Sequence, residues 1–104
     1  MRNVDPLDKS TLDDAIVEYY EDLKRAVRRS GVSQIHPAAI VHDLYVQLSR
    51  KPDRLVERST LRGFLIKAAV NLGIDRARRI AFENRLFSLL DDRALSVPAI
   101  SPTA

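Results

Sequence analysis

Hydrophobic residues recur along the first third of this chain at intervals of three and four, which is the period of an α-helix. They fall on one helical face and comprise Leu12, Ile16, Tyr19, Leu23, Ala26 and Val27. Ser10, followed three residues later by Asp13, is a candidate capping box at the start of this helix. Gly31 is a typical helix terminator, so the pattern predicts a first helix that reaches about Ser30.

A second stripe predicts a second helix. It is expected to begin at His36 and Pro37, because proline is favoured in the first helical turn, and to end before Pro52. Its apolar positions are Ile40, Val41, Leu44, Tyr45 and Leu48. The polar residues 51–58 show no sustained period and predict an ordered loop.

The third stripe predicts a helix that follows a cap at Ser59 or Thr60 and runs to Arg79 or beyond. Its apolar positions are Leu61, Phe64, Leu65, Ala68 and Leu72. Gly63 and Gly73 weaken this helix, which indicates close packing or close approach of a ligand there. A short fourth helix is predicted from the apolar positions Phe82, Leu86, Leu89 and Leu90.

No alternating strand pattern accompanies these stripes, so the fold class is all-α, a compact bundle of three to four helices. Residues 1–10 are expected to form an N-terminal tail and residues 11–90 one helical domain. Residues 91–104 contain Pro98 and Pro102 and read as the start of an interdomain linker or a disordered tail.

Composition narrows the possible chemistry. The chain has 104 residues, no cysteine and two histidines, so disulfides and thiolate metal sites are excluded. Because the common catalytic and phosphate-loop motifs are also missing, we expect no enzyme activity, no cofactor and no metal. No apolar run reaches the ~18–20 residues of a membrane span, so we expect no membrane insertion and a cytoplasmic location.

The net charge of +3 is unevenly distributed. Residues 1–22 carry two basic and seven acidic side chains, whereas residues 23–90 carry fourteen basic and five acidic ones. Thirteen of the seventeen positive residues are arginine, whose planar guanidinium suits phosphates and base edges. This pattern favours a polyanionic partner, although a solvated arginine-rich surface produces the same count.

One polar strip lies opposite the apolar stripe of the third helix. Asn71 offers a donor and an acceptor to a base edge, Lys67 and Arg78 reach phosphates, and Asp75 is placed to orient Arg79 through a one-turn ion pair. The helix thus has one face for the core and another for a partner.

This stretch resembles the region-two domain of the extracytoplasmic-function (ECF) class of bacterial RNA polymerase sigma factors. The residues that match that family's motif are Phe64, Leu65, Ala69, Asn71, Asp75, Arg78 and Arg79, and residues 38–48 resemble an earlier family helix. Ala38 and Ala39 replace the family's acidic pair, His42 its usual glutamine and Val70 a common arginine. Residues 79–86 are similar to the iron-starvation branch of the class.

The resemblance implies a domain that docks on the clamp helices of the RNA polymerase core and melts the promoter minus-ten element. Core binding would fall on Ile40, His42, Asp43, Leu44 and Gln47. The non-template single strand, with one flipped base held by the loop of residues 51–60, would be bound by Arg54, Arg58, Ser59, Thr60, Lys67, Asn71, Asp75, Arg76, Arg78 and Arg79. An anti-sigma factor is an implied partner.

The family's second domain, which reads the minus-thirty-five element, has no counterpart here, so the resemblance implies an excised or truncated domain. Two other interpretations stay open. One is a small dimeric helix-turn-helix regulator, in which Gly31 or Gly73 is the turn glycine. The other is an interaction module that mimics a sigma factor and titrates an anti-sigma factor without binding DNA.

Overall fold

The computed structural model describes residues 4–31, 34–51 and 54–96. It confirms the all-α prediction, because three helices carry the core. In chain order the elements are β1 (Val4–Pro6), α1 (Lys9–Arg29), α2 (Pro37–Ser49), β2 (Leu55–Glu57), a 3-10 turn (Arg58–Thr60) and α3 (Leu61–Ser96). The helix bounds of α1 and α2 lie close to those predicted from their apolar stripes.

The first helix begins earlier than its predicted capping box. Asp8 is the N-cap, and its Oδ1 accepts a hydrogen bond from the Thr11 backbone N–H at 2.8 Å. That hydrogen bond lowers the pKa of the Asp8 carboxyl below its ordinary value of 3.8. Asp13 caps nothing; its carboxylate instead accepts from the Tyr45 hydroxyl of α2 at 2.5 Å. The prediction of a capping box at Ser10 and Asp13 is therefore wrong.

The predicted start of α2 is confirmed. His36 is the N-cap in extended conformation, and Pro37 occupies the first turn. Backbone N–H groups in the first turn have no partner within the helix, so the N–H that proline lacks costs no hydrogen bond. The apolar side of α2 is buried at Ile40, Val41, Leu44 and Leu48. It packs against α1 and α3, so that Leu12, Leu23 and Leu65 at the centre of the bundle have no exposed surface.

Residues 4–7 take part in the fold, which corrects the predicted tail. Strand β1 pairs antiparallel with β2, Val4 opposite Glu57 and Pro6 opposite Leu55. Leu7 follows β1 and is buried in the core. The predicted loop thus contains a strand, which the pattern missed because three residues on each side are too short to show a period of two.

Gly73 is buried where α3 packs against α1. A Cβ atom at this position would lie 3.4 Å from Cγ1 of Val27, at the tight end of ordinary contact. Close packing therefore does not require a glycine at position 73, and a Cβ at Gly63 would meet nothing within 4 Å.

The third and fourth predicted helices are one helix. Strand β2 and the 3-10 turn lead into α3, whose 36 residues extend for about 54 Å. Since neither glycine nor proline occurs between Gly73 and Ser96, nothing interrupts the backbone at the predicted break. The second half of α3 leaves the bundle with exposed side chains. None of the helices in the described ranges is both long and apolar enough to cross a membrane.

Candidate nucleic-acid interface

An open cavity of about 330 Å³ lies beside the first half of α3. Phe64, Lys67, Ala68 and Asn71 line it at intervals of three and four, so one face of the helix forms its floor. The other wall is Arg54, from the segment that precedes β2. Three residues predicted to contact nucleic acid, Arg54, Lys67 and Asn71, are thus brought together.

The short sheet holds Arg54 in place. The Leu7 N–H donates to the Arg54 carbonyl at 2.7 Å, and the Arg54 N–H donates to the Lys51 carbonyl at 3.3 Å. Both the backbone N–H and the backbone carbonyl of Arg54 are thus hydrogen-bonded. The Arg54 guanidinium extends over the Phe64 ring, 4.8 Å from the ring centroid. This is a cation–π arrangement in which a flat cation covers a flat ring.

The cavity combines the groups that hold a nucleotide. The Arg54 guanidinium covers the Phe64 ring with one face and leaves its other face for a base to stack on, and the Asn71 amide can both donate to and accept from a base edge. Lys67 adds a cation for the phosphate. The cavity volume is at the lower end of the range of small-molecule sites, about 300–1,000 Å³. A volume of this size suits a single base.

The cavity face continues along α3. Asn71, Asp75 and Arg78 follow one another at intervals of four and three, and each is exposed. Arg79 is exposed beside them, but no Asp75–Arg79 ion pair forms in the part of the chain that the structure describes, which corrects that prediction. Arg78 and Arg79 therefore form a basic track toward the end of the helix, with the Asp75 carboxylate between this track and the cavity.

Arg76 faces away from this track. Its Nε lies 3.5 Å from Oδ2 of Asp43, so it joins α3 to α2. One predicted DNA contact is thus paired with one predicted polymerase contact. Both side chains keep more than a third of their surface exposed, so this ion pair contributes little to stability.

The 3-10 turn lies outside the cavity. The Thr60 hydroxyl donates to the Glu57 carbonyl at 3.0 Å and the Ser59 hydroxyl donates to Glu57 Oε1 at 3.3 Å. Arg58 lines clefts next to α1, with Thr11 and Leu61. The structure therefore does not bring Arg58, Ser59 and Thr60 to the Arg54 cavity; the two hydroxyls stabilise the turn that leads into α3.

The residues predicted to bind polymerase divide into two groups. Ile40 and Leu44 are 2% and 3% exposed and belong to the core, which corrects their assignment to a docking surface. They lie one turn apart on the apolar stripe of α2, so they cannot face both the core and a partner. His42 and Gln47 are exposed and Asp43 is partly exposed, and these three define the free flank of α2.

Next to this flank, a groove of about 710 Å³ runs between α1 and α2. Ala38 and Ala39 line it together with Ile16, Val17 and His42. The hydrogen bond to the Asp13 carboxylate raises the pKa of the Tyr45 hydroxyl at the groove edge. The groove could not be predicted from the pattern of either helix, because its walls come from two separate helices.

Phe64 is the functional candidate that sequence reasoning missed. Its place in the apolar stripe predicted a core residue; the side chain packs against the core but is only partly buried, and it also lines the cavity. The spacing of Phe64, Lys67 and Asn71 on one helical face was the available signal.

Within residues 4–31, 34–51 and 54–96, no cluster of three metal-ligating side chains occurs. Comparison with known proteins finds no matching family model, curated protein or solved structure.

Proposed function

We propose that this chain is a sigma-like domain that binds single-stranded promoter DNA and holds one unstacked base in the Arg54 cavity. The observation that carries the proposal is the convergence of Arg54, Phe64, Lys67 and Asn71 on one site of nucleotide size. Two of these residues, Phe64 and Asn71, also belong to the motif that resembles region two of ECF sigma factors.

The energetics of such a site favour a single strand over a duplex. In a duplex every base is already stacked and paired, and extruding one costs a few kcal/mol. A base stacked on the outer face of the Arg54 guanidinium recovers part of this cost, and the cations along the track contribute through the phosphates. A single strand meets the site without the unpairing cost, so it is the preferred ligand.

The same proposal assigns the free flank of α2 to the clamp helices of the RNA polymerase core, in the cytoplasm. His42, Asp43 and Gln47 supply its polar contacts. An anti-sigma factor that covers either surface would block initiation.

The helix-turn-helix alternative fits this geometry less well. That motif joins two helices by a turn of about 3–4 residues, whereas the seven residues 30–36, which include Gly31, separate α1 from α2, and residues 50–60 separate α2 from α3. Gly73, the other candidate turn glycine, lies inside α3. A 36-residue helix is also much longer than a recognition helix.

The experiment is fluorescence anisotropy with a labelled non-template strand that contains a minus-ten-type element, its scrambled sequence and the corresponding duplex. We expect the single strand to bind at least about tenfold tighter than the duplex, because the duplex must first release a base. Asn71→Ala should weaken binding of the specific strand about fivefold, which is the effect of losing one hydrogen bond of about 1 kcal/mol. Arg54→Ala should weaken it similarly.

Matched controls come from the same chain. Asn84 is an exposed asparagine farther along α3, and Arg50 is an exposed arginine at the end of α2 that does not line the cavity. Asn84→Ala and Arg50→Ala should leave discrimination between the specific and scrambled strands unchanged. Tighter binding to the duplex would support the helix-turn-helix alternative, and no binding to any DNA would leave the interaction-module alternative.

A further inference from the structure

A second open cavity, of about 350 Å³, lies between α1 and α3. Three arginines line it: Arg25 and Arg29 near the end of α1, and Arg62 in the first turn of α3. We call this cavity the arginine cleft. Arg62 and Asn71 are nine residues apart on α3, which places them on opposite sides of that helix. The arginine cleft is therefore a separate surface from the Arg54 cavity.

The arginine cleft carries a net positive charge. Among the described residues, Asp22 is the acidic side chain that lines it, against three arginines. Asp22 Oδ2 lies 3.2 Å from the Arg62 Nε, and Oδ1 lies 3.6 Å from an Nη of Arg25. Residues 23–42 and 61–74 contain no aspartate or glutamate. Asp22 therefore compensates one of the three positive charges and leaves two.

Further acidic side chains lie on one side of the cleft, along the earlier turns of α1. They are Asp14 and Glu18, which share a neighbouring cleft with Arg58, and Glu21, which pairs with Lys24 at 3.1 Å. The other side is the last turn of α1, where Arg28 and Arg29 are exposed. A polyanion can approach the cleft from that side without meeting a carboxylate.

The donors of the cleft remain open to a ligand. A guanidinium has five N–H groups, and the hydrogen bond from Arg62 to Asp22 uses the one on Nε. Arg29 forms no ion pair within the part of the chain that the structure describes. Ala26 and Ile66, both partly buried, supply apolar surface between the arginines. Low-dielectric walls of this kind strengthen the field of like charges in a cleft.

We infer that the arginine cleft binds the phosphodiester backbone of double-stranded nucleic acid. Guanidinium groups match the geometry of phosphate oxygens. No aromatic ring or side-chain amide lines the cleft among the described residues, so the contact is independent of base sequence. The exposed large hydrophobic side chains also lie outside it, which favours nucleic acid over a lipid surface. The inference concerns a different surface from the proposed function and does not rest on it.

The test is fluorescence anisotropy of a labelled blunt DNA duplex at several salt concentrations, because a duplex presents phosphates without releasing a base. Arg29→Gln combined with Arg62→Gln should weaken binding at least about fivefold and reduce the salt slope by roughly 1.8, or 0.9 for each lost phosphate contact. Lys9→Gln combined with Arg50→Gln is the matched control, because it removes the same charge from exposed positions outside the cleft. The control should leave the slope unchanged, and circular dichroism checks that both proteins stay helical.

A second measurement locates the contact without any variant. In ¹⁵N NMR spectra of the parent protein, the amide signals of Ala26 and Ile66 should shift as the duplex is added. Those of Ala38 and Ala39, which line the groove between α1 and α2, should not shift. No duplex binding, equal losses in the two double variants, or unmoved Ala26 and Ile66 signals would overturn the inference.

Two further probes separate nucleic acid from other sources of phosphate. Inorganic pyrophosphate and phosphatidylserine vesicles are each added to the parent protein and to the variant with Arg29→Gln and Arg62→Gln. We expect both probes to bind the parent protein more weakly than the duplex does. Tighter binding of either probe to the parent, lost in the variant, would overturn the assignment to nucleic acid.

Discussion

Asn71 and Arg78 lie on the same face of α3 but can act on a nucleic acid in different ways. Arg78 carries a charge that displaces counterions from phosphates, so Arg78→Ala should reduce the salt slope of single-strand binding by roughly 0.7. Asn71 has no charge, so Asn71→Ala should leave that slope unchanged while it lowers discrimination between sequences. The measurement is the affinity at several salt concentrations. Equal slopes for Arg78→Ala and the parent protein would contradict the phosphate assignment.

Asp8 gives the fold a defined pH dependence at its first helix cap. The hydrogen bond from the Thr11 N–H holds the folded-state pKa of Asp8 below 3.8, so its contribution to stability is present above pH 3.8. It is lost as the pH falls through the folded-state pKa. Asp8→Ala should therefore melt at a lower temperature than the parent at pH 7, with a gap that closes in acid. A gap that stays constant down to pH 2 would show that the carboxylate is not the cap.

The candidate site was only partly predictable from its residues. Lys67 and Asn71 follow from helical spacing alone, because both lie on the polar side of a strongly periodic stripe. Arg54 depends on a hydrogen bond between the Leu7 N–H and its own carbonyl, which joins residues far apart in sequence. No local pattern records such a contact, so the cavity as a whole could not be derived.

At the scale of elements, α3 is held to the bundle by its first half. Leu65 has no exposed surface, so Leu65→Ala should lower the free energy of unfolding by about 2–5 kcal/mol. Leu55, on strand β2, is 64% exposed, and Leu55→Ala should cost well under about 1 kcal/mol. Urea denaturation of both variants measures the difference. Equal losses for the two leucines would mean that α3 packs through another face.

Helix starts were predictable where a local signal sets them. Pro37 pre-forms the first turn of α2 and was recognised, whereas the start of α1 was misplaced because Ser10 and Asp13 imitate a capping box. The break expected near Arg79 does not occur, since a change in polarity does not end a helix without a glycine or proline. The paired strands β1 and β2 were not predicted, because each has only three residues.

At the scale of the whole molecule, the ion pair between Asp43 and Arg76 links the free flank of α2 to the helix that carries the cavity. Under the proposed function, Asp43→Arg should weaken binding to the RNA polymerase core while helicity is retained. The exchange Asp43→Arg with Arg76→Asp restores an ion pair but not the original charge on α2. Binding of both variants to immobilised core is measured.

We expect the exchanged protein to remain defective if Asp43 contacts the polymerase directly. Recovery of binding in the exchanged protein would instead show that the residue acts only within this chain. Gln47→Ala, on the same flank, serves as a second probe of the surface, since Gln47 is exposed.

Under the proposed function, this chain gives the polymerase core a site for single-stranded promoter DNA. The most direct measurement is the affinity of the core for a labelled non-template strand with and without the chain. We expect the chain to raise that affinity at least about tenfold, because core and chain then bind the strand together. Asn71→Ala should remove most of the gain and Asn84→Ala none of it. A core whose affinity for the strand is unchanged by the chain would contradict the claim.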